Sequence, residues 1–244
     1  RVRTMADKSA IEWTEATWNP TTGCDRVSAG CDNCYALTLA KRLKAMGNPK
    51  YQNDGDPRTS GPGFGVTVHP DALLIPYSWK RPRVVFVNSM SDLFHARVPL
   101  DFIQQVFAVM RDTPHHTYQV LTKRARRLER IAGKLEWPSN VWMGVSVESA
   151  DQYDRIRDLA KVPAAVRFLS CEPLLGSVDL APWVCTCGHW DDLDPHDDGC
   201  AWALSTPAID WVIVGGESGP GARPMHPGWV RSLRDQAKAA GVAF

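Results

Sequence analysis

Arg83-Val-Val-Phe-Val-Asn88 is a short apolar run closed by a polar residue, and Leu100 to Arg111 behind it repeats apolar residues at helical spacing. A run without alternation reads as a strand buried on both faces, the habit of parallel sheets whose crossovers are helices. The same pair recurs along the chain. Tyr118-Gln-Val-Leu-Thr122 precedes a helical stretch, Ala125 to Ala132. Val141-Trp-Met-Gly-Val-Ser-Val147 precedes Ala150 to Ala160. Val166-Arg-Phe-Leu-Ser170 follows, and Ile209-Asp-Trp-Val-Ile-Val214 precedes Pro227 to Ala240. A sixth strand is expected within Ile11 to Pro20, ahead of a helix over Tyr35 to Met46 that Gly47-Asn-Pro49 stops. Residues 47–70, rich in Gly, Pro and Asp, read as a long loop.

The fold class is therefore α/β, and six βα units predict a partial (βα)6 TIM-like barrel in preference to a doubly wound sheet. The preference rests on the polar residues that follow each clear strand. They are Ser89, Asp92 and His95; Lys123 and Arg124; Glu148; Glu172; and Glu217 and Ser218. In a barrel these converge on the C-terminal face, where such enzymes keep their sites. Strand-to-helix turns are polar in any protein, so the argument lies in the succession and not in any one residue. Asp92, His95, Lys123, Glu148 and Glu172 are the catalytic or substrate-binding candidates.

The chain's 244 residues suffice for one large domain, expected over 5–244. Its formal net charge of +1 gives no overall pull toward polyanions. No apolar run reaches the roughly 18 residues of a membrane span, so no membrane partner is expected. Met5 reads as a native start, with Arg1 to Thr4 upstream of it or added, and no apolar signal segment precedes it. The stretch Lys238-Ala-Ala-Gly-Val-Ala-Phe244 reads as a helix followed by the start of a strand, and the native chain is expected to continue. Seven cysteines without a secretory signal favour a reducing, cytoplasmic compartment, where clustered cysteines more often bind metal than form disulfides.

Three of those cysteines lie in Thr21-Thr-Gly-Cys24-Asp-Arg-Val-Ser-Ala-Gly-Cys31-Asp-Asn-Cys34-Tyr35. Three thiolates on one loop can hold three irons of a [4Fe–4S] cluster and leave the fourth iron open to a cofactor or substrate. Gly23 and Gly30 permit the tight turns that wrapping a cluster requires. Two other readings stand beside this one. Zinc could take the same thiolates with His69 or His95 as a fourth ligand, or some of the thiols could be structural. Cys171 ends a buried strand and reads as a core residue.

At this point the chain resembles a known family. Trp18-Asn-Pro-Thr-Thr-Gly-Cys24, Gly30-Cys31-Asp-Asn-Cys34-Tyr-Ala36, Ser91-Asp-Leu-Phe-His95, Leu121-Thr-Lys-Arg124, Ser170-Cys-Glu-Pro173 and Gly215-Gly-Glu-Ser-Gly219 together look like the phage- and bacteria-borne three-cysteine family of unknown function. More widely, the cysteine loop followed by βα units resembles compact radical S-adenosylmethionine enzymes such as spore photoproduct lyase. The usual loop of those enzymes has three residues between its first two cysteines, where this chain has six, and an aromatic residue where Asn33 stands. The resemblance implies a [4Fe–4S] cluster on Cys24, Cys31 and Cys34, and S-adenosylmethionine on the open iron. It further implies an electron from a reducing partner and a 5′-deoxyadenosyl radical that abstracts hydrogen from the substrate. On this reading Gly215, Gly216, Glu217 and Ser218 are cofactor contacts, and the activity is a lyase or a nucleic-acid repair or modification reaction.

Residues 182–207 interrupt the βα rhythm as a polar insertion before the last clear strand. Cys185, Cys187, Cys200 and one histidine, His196 in preference to His189, fit a closed tetrahedral zinc site that would staple a segment too polar to fold alone. Lys123, Arg124, Arg126 and Arg127 form a basic group able to neutralise nucleic-acid phosphates, or equally a solvated helix face. The function expected is thus an iron–sulfur enzyme acting on nucleic acid. The alternatives are a nucleic-acid or protein binding module with a structural or redox-sensing cluster, and a zinc hydrolase using His95 and the carboxylates.

Overall fold

The computed structural model describes residues 11–184, 208–219 and 221–244. The proposed zinc ligands Cys185, Cys187, His196 and Cys200 lie outside the described residues.

Six parallel strands form the main sheet: β1 (Ala16–Trp18), β4 (Val84–Val87), β5 (Thr117–Thr122), β6 (Val141–Ser146), β7 (Val166–Cys171) and β8 (Trp211–Val214). They stand side by side in chain order, β1-β4-β5-β6-β7-β8. Every pairing in this sheet is parallel, so each strand end is followed by a crossover. Two strands absent from the sequence reading, β2 (Thr21–Thr22) and β3 (Thr67–Val68), make a separate antiparallel pair. A two-residue strand inside a Gly- and Pro-rich loop leaves no periodicity to read.

The helices are α1 (Tyr35–Ala45), α2 (Leu100–Asp112), α3 (Ala125–Ala132), α4 (Tyr153–Ala160), α5 (Ala181–Val184) and α6 (Pro227–Ala239). Where the sequence pattern starts the fourth helix at Ala150, the chain first makes a 3-10 turn over Ala150–Gln152. Trp183 and Val184 are buried in the main core, so the start of the 182–207 insertion still belongs to the body of the domain.

The two faces of the sheet differ. Val85, Val87, Tyr118, Val120, Met143, Val145, Leu169 and Val212 join one core with the buried residues of α2, α3, α4 and α6. The alternate positions, which point the other way, bear Phe86, Trp142, Phe168 and Trp211. Trp13 lies against this second face, its ring centroid 4.7 Å from that of Phe86 and 6.4 Å from that of Trp211. Gly144 leaves room there, since a Cβ would sit 2.4 Å from the Phe168 ring. After α6 the backbone returns beside β8, where Trp211 and Ala243 form a parallel bridge.

A smaller core holds the cysteine loop in place. Ala36 and Ala40 of α1 pack on Tyr51, Phe64 and Met90, with Cys24 and Cys34 against its edge. At Gly23, φ is +84° and a Cβ would meet the backbone oxygen of Gly65 at 2.2 Å, so only glycine lets the long loop lie across the first cysteine.

Candidate functional site

A cavity of about 600 Å³ opens at the C-terminal ends of the main strands. Cys24, Cys31 and Cys34 line it together with Asn88, Asp92, Lys123, Glu172, Gly216, Glu217 and Ser218, over an apolar floor that includes Trp13 and Phe86. Parallel strands end at one side of the sheet, and the residues just past them are carried there by the main-chain ladder. That accounts for the meeting of groups as far apart in sequence as Cys24 and Ser218.

The cysteine loop turns through a 3-10 segment, Ala29–Cys31, and Cys34 stands at the N-cap position of α1 without a capping hydrogen bond from its side chain. Burial, and after it the Asp92 carboxylate, push the Cys24 thiol up to about 12, against the opposing pull of Arg124. The Arg124 guanidinium lies 3.7 Å from the Cys24 sulfur and donates to the carbonyl of Asp25. Among the described residues no three His, Cys, Asp or Glu side chains converge as a single-ion site. His69 pairs with Thr22 and His95 with Asp25, and neither histidine lines the cavity. Three thiols line this one cavity, with a guanidinium beside the first, and thiolates are the ligand type that iron–sulfur clusters take.

The sequence candidates separate into groups that face the cavity and groups that hold it. Asp92 and Lys123 face it, and Asp92 also accepts from Thr122 and from the Lys123 amide, fixing the turn after β5. Glu172 faces it from the end of β7, and burial holds its carboxyl above the usual range. Glu148 and His95 do not line it. Glu148 is buried, accepting from Ser28 at 2.7 Å and from Arg155 at 2.8 Å, with Lys123 at 3.6 Å. His95 is buried too, and its Nδ1 accepts from the Arg97 amide, which leaves Nε2 to donate to Asp25. Asp25 also accepts from Thr59 and Ser60; burial raises its carboxyl, but these hydrogen bonds and His95 together hold it below the ordinary value. His95 therefore anchors the residue next to Cys24.

Glu217 has a second task. Its carboxylate accepts from Asn33 at 2.8 Å and from the Arg223 side chain, while Arg223 also donates to the carbonyl of Ala29 and pairs with Asp32. The Arg223 hydrogen bonds lower the Glu217 carboxyl to about 2. The loop after β8 is thereby clasped to the cysteine loop. Gly215 does not line the cavity; a Cβ there would lie 2.3 Å from a Glu172 oxygen.

Sequence reasoning missed Asn88. It is buried at the end of β4 with φ +68°, in the left-handed region. Its amide nitrogen donates to Thr21, and its carbonyl oxygen has no hydrogen-bond partner among the described residues. A buried acceptor left open at a cavity wall invites a donor from a ligand.

A family model matches residues 8–244, under the description protein of unknown function (DUF5131). The chain belongs to this family. No curated protein and no solved structure matches it. The match spans the cysteine loop and all six strands of the main sheet of this DUF5131 member, so loop and sheet belong to one family unit.

Proposed function

We propose that the cavity is the site of an iron–sulfur enzyme of the radical S-adenosylmethionine kind, with Cys24, Cys31 and Cys34 as ligands of a [4Fe–4S] cluster. The observation that carries this reading is the meeting, in one cavity, of three thiols with Asp92, Lys123, Glu172 and Glu217. When bound, the cluster and its cofactor supply an electron and a reactive radical, chemistry no side chain offers. The chain's own residues bind, orient and exclude water. Asn88 accepts from an N–H of the bound molecule. Lys123 offers a cation and Glu172 a carboxyl, and Trp13 and Phe86 give an apolar floor.

A partial barrel is the architecture this reading uses. The sequential strand order and the confinement of α2, α3, α4 and α6 to one core support it, because a doubly wound sheet reverses direction and carries helices on both faces. Zinc at the cysteine loop is less well supported, since neither His69 nor His95, the fourth ligands it would draw on, lines the cavity. A nucleic-acid substrate is part of the proposal, from the cation Lys123 in the cavity lining and Arg124 next to it in the chain.

The test is purification without oxygen, assay of iron, sulfide and zinc, and reduction in the presence of S-adenosylmethionine. Iron and sulfide near four each per chain, lost in Cys31→Ala, with 5′-deoxyadenosine formed on reduction, are the expected result. A cluster that neither binds nor cleaves the cofactor would leave a binding module. Zinc alone at this loop would overturn the cluster.

A further inference from the structure

We propose that a second cleft, between α3 and α4, binds the phosphate backbone of single-stranded nucleic acid and leads it to the cavity. The inference rests on the reading of the cavity as an active site, but its test does not depend on radical chemistry.

The cleft measures about 530 Å³ and adjoins the main cavity at Lys123, which lines both. Six cations line it: Lys123, Arg124, Arg126, Arg130, Arg155 and Arg157. Four of them are engaged. Arg155 and Lys123 face Glu148, Arg124 reaches Asp92 and the Asp25 carbonyl, and Arg157 pairs with Asp154. Arg126 and Arg130 are exposed, and among the described residues their side chains make neither a hydrogen bond nor an ion pair within 4 Å, although the charge of Arg126 acts on Asp158. They sit four residues apart on α3, hence on one face of it.

Folding alone does not favour this arrangement. Like charges at this spacing repel, and the first turn of α3 holds Arg126 and Arg127 with no acidic residue to match the helix dipole. The acids that line the cleft beside these two arginines are Glu129 and Asp158. Burial, and then Glu129, raise the Asp158 carboxyl, against the opposing pull of Lys161 and Arg126. A bound phosphate would relieve the repulsion between Arg126 and Arg130 and satisfy their donors.

The cavity selects the form of the ligand. Trp13 and Phe86 line it, aromatic rings against which an unstacked base can lie, and a single strand releases a base most easily. Arg127, part of the basic group read from the sequence, takes no part: it is half-buried and donates to the carbonyl of Val98.

The experiment is fluorescence anisotropy of a labelled mixed-sequence oligonucleotide of about a dozen nucleotides, long enough to span cleft and cavity, over a series of salt concentrations. The wild-type chain is compared with Arg126→Gln/Arg130→Gln, both sites being exposed, with circular dichroism to confirm folding. Binding that weakens with salt is expected, and the double variant should bind several-fold more weakly with a salt slope smaller by about 1.4, near 0.7 per lost phosphate contact. An unchanged slope and affinity in the folded variant would sink the assignment, as would displacement of the oligonucleotide by polyglutamate at equal charge concentration. Absent binding by a wild-type protein that still forms 5′-deoxyadenosine would overturn the cleft alone. Binding without cofactor cleavage would overturn only the radical reading.

Discussion

Gly30 presses its backbone against the carboxylate of Glu148: a Cβ built on Gly30 would lie 2.3 Å from Glu148 Oε1. The loop that carries the cysteines thus rests on a buried charge. Gly30→Ala should push that carboxylate out of reach of Ser28 and Arg155. The expected cost is about 1–3 kcal/mol of stability, the usual range for overpacking. Urea unfolding reads the stability, and iron content after anaerobic reconstitution should fall with it. A variant that keeps full stability and full iron would show that the loop is not supported from below.

Glu148 itself should tolerate loss of charge better than loss of shape. Glu148→Ala leaves Arg155 and Lys123 facing an empty buried site and should cost about 3–5 kcal/mol, as breaking one side of a buried pair does. Glu148→Gln keeps the hydrogen bond from Ser28 and should cost clearly less. Equal losses in the two variants, measured by denaturant midpoints, would mean that charge alone matters there.

Asn88 separates ligand binding from folding. Asn88→Gly removes the open carbonyl and the hydrogen bond to Thr21, while glycine suits the positive φ, so the melting temperature should move little. Affinity for S-adenosylmethionine, measured by calorimetry on the reconstituted protein, should fall about fivefold to tenfold, the worth of roughly one hydrogen bond. Unchanged affinity would place the ligand elsewhere in the cavity.

The Glu217–Arg223 clasp should fail in acid. The Glu217 carboxyl lies at about 2 in the folded chain against an ordinary 4.5, so it binds protons less readily folded than unfolded. Its contribution is complete above about 4.5 and is lost as pH falls toward about 2. The melting-temperature gap between wild type and Glu217→Gln should therefore close on acidification over that window. A gap that stays constant with pH would show that the carboxylate is not what Arg223 holds.

The strands and helices were legible because a buried parallel strand is a continuous apolar run and each is bounded by polar turns. The polar residues after the strands were legible for the same reason, and Asp92, Lys123, Glu172 and Glu217 do face one cavity. Which of them would turn away was not. Glu148 looks like Glu172 in sequence, yet its carboxyl is drawn under Gly30 by Ser28 and Arg155, partners 120 and 7 residues away. His95 follows Asp92 by three positions and is turned toward Asp25 by a contact across 70 residues. Asn88 ends a strand as any polar residue does, and only its positive φ and open carbonyl distinguish it. Arg223 stands alone in a Gly- and Pro-rich loop, with nothing local to announce that Glu217 needs it.

The clasp also sets a sequence of events during synthesis. Asn33 meets Glu217 across 184 residues, and Ala29 meets Arg223 across 194. At about 5–20 residues per second, the cysteine loop leaves the ribosome roughly 10–40 seconds before the residues that fasten it. During that interval the three thiols are emerged but unfastened, exposed to stray metal and to oxidants. Their final environment is completed only when the unit of β8 and α6 docks, so maturation of this site has to wait until that unit has emerged.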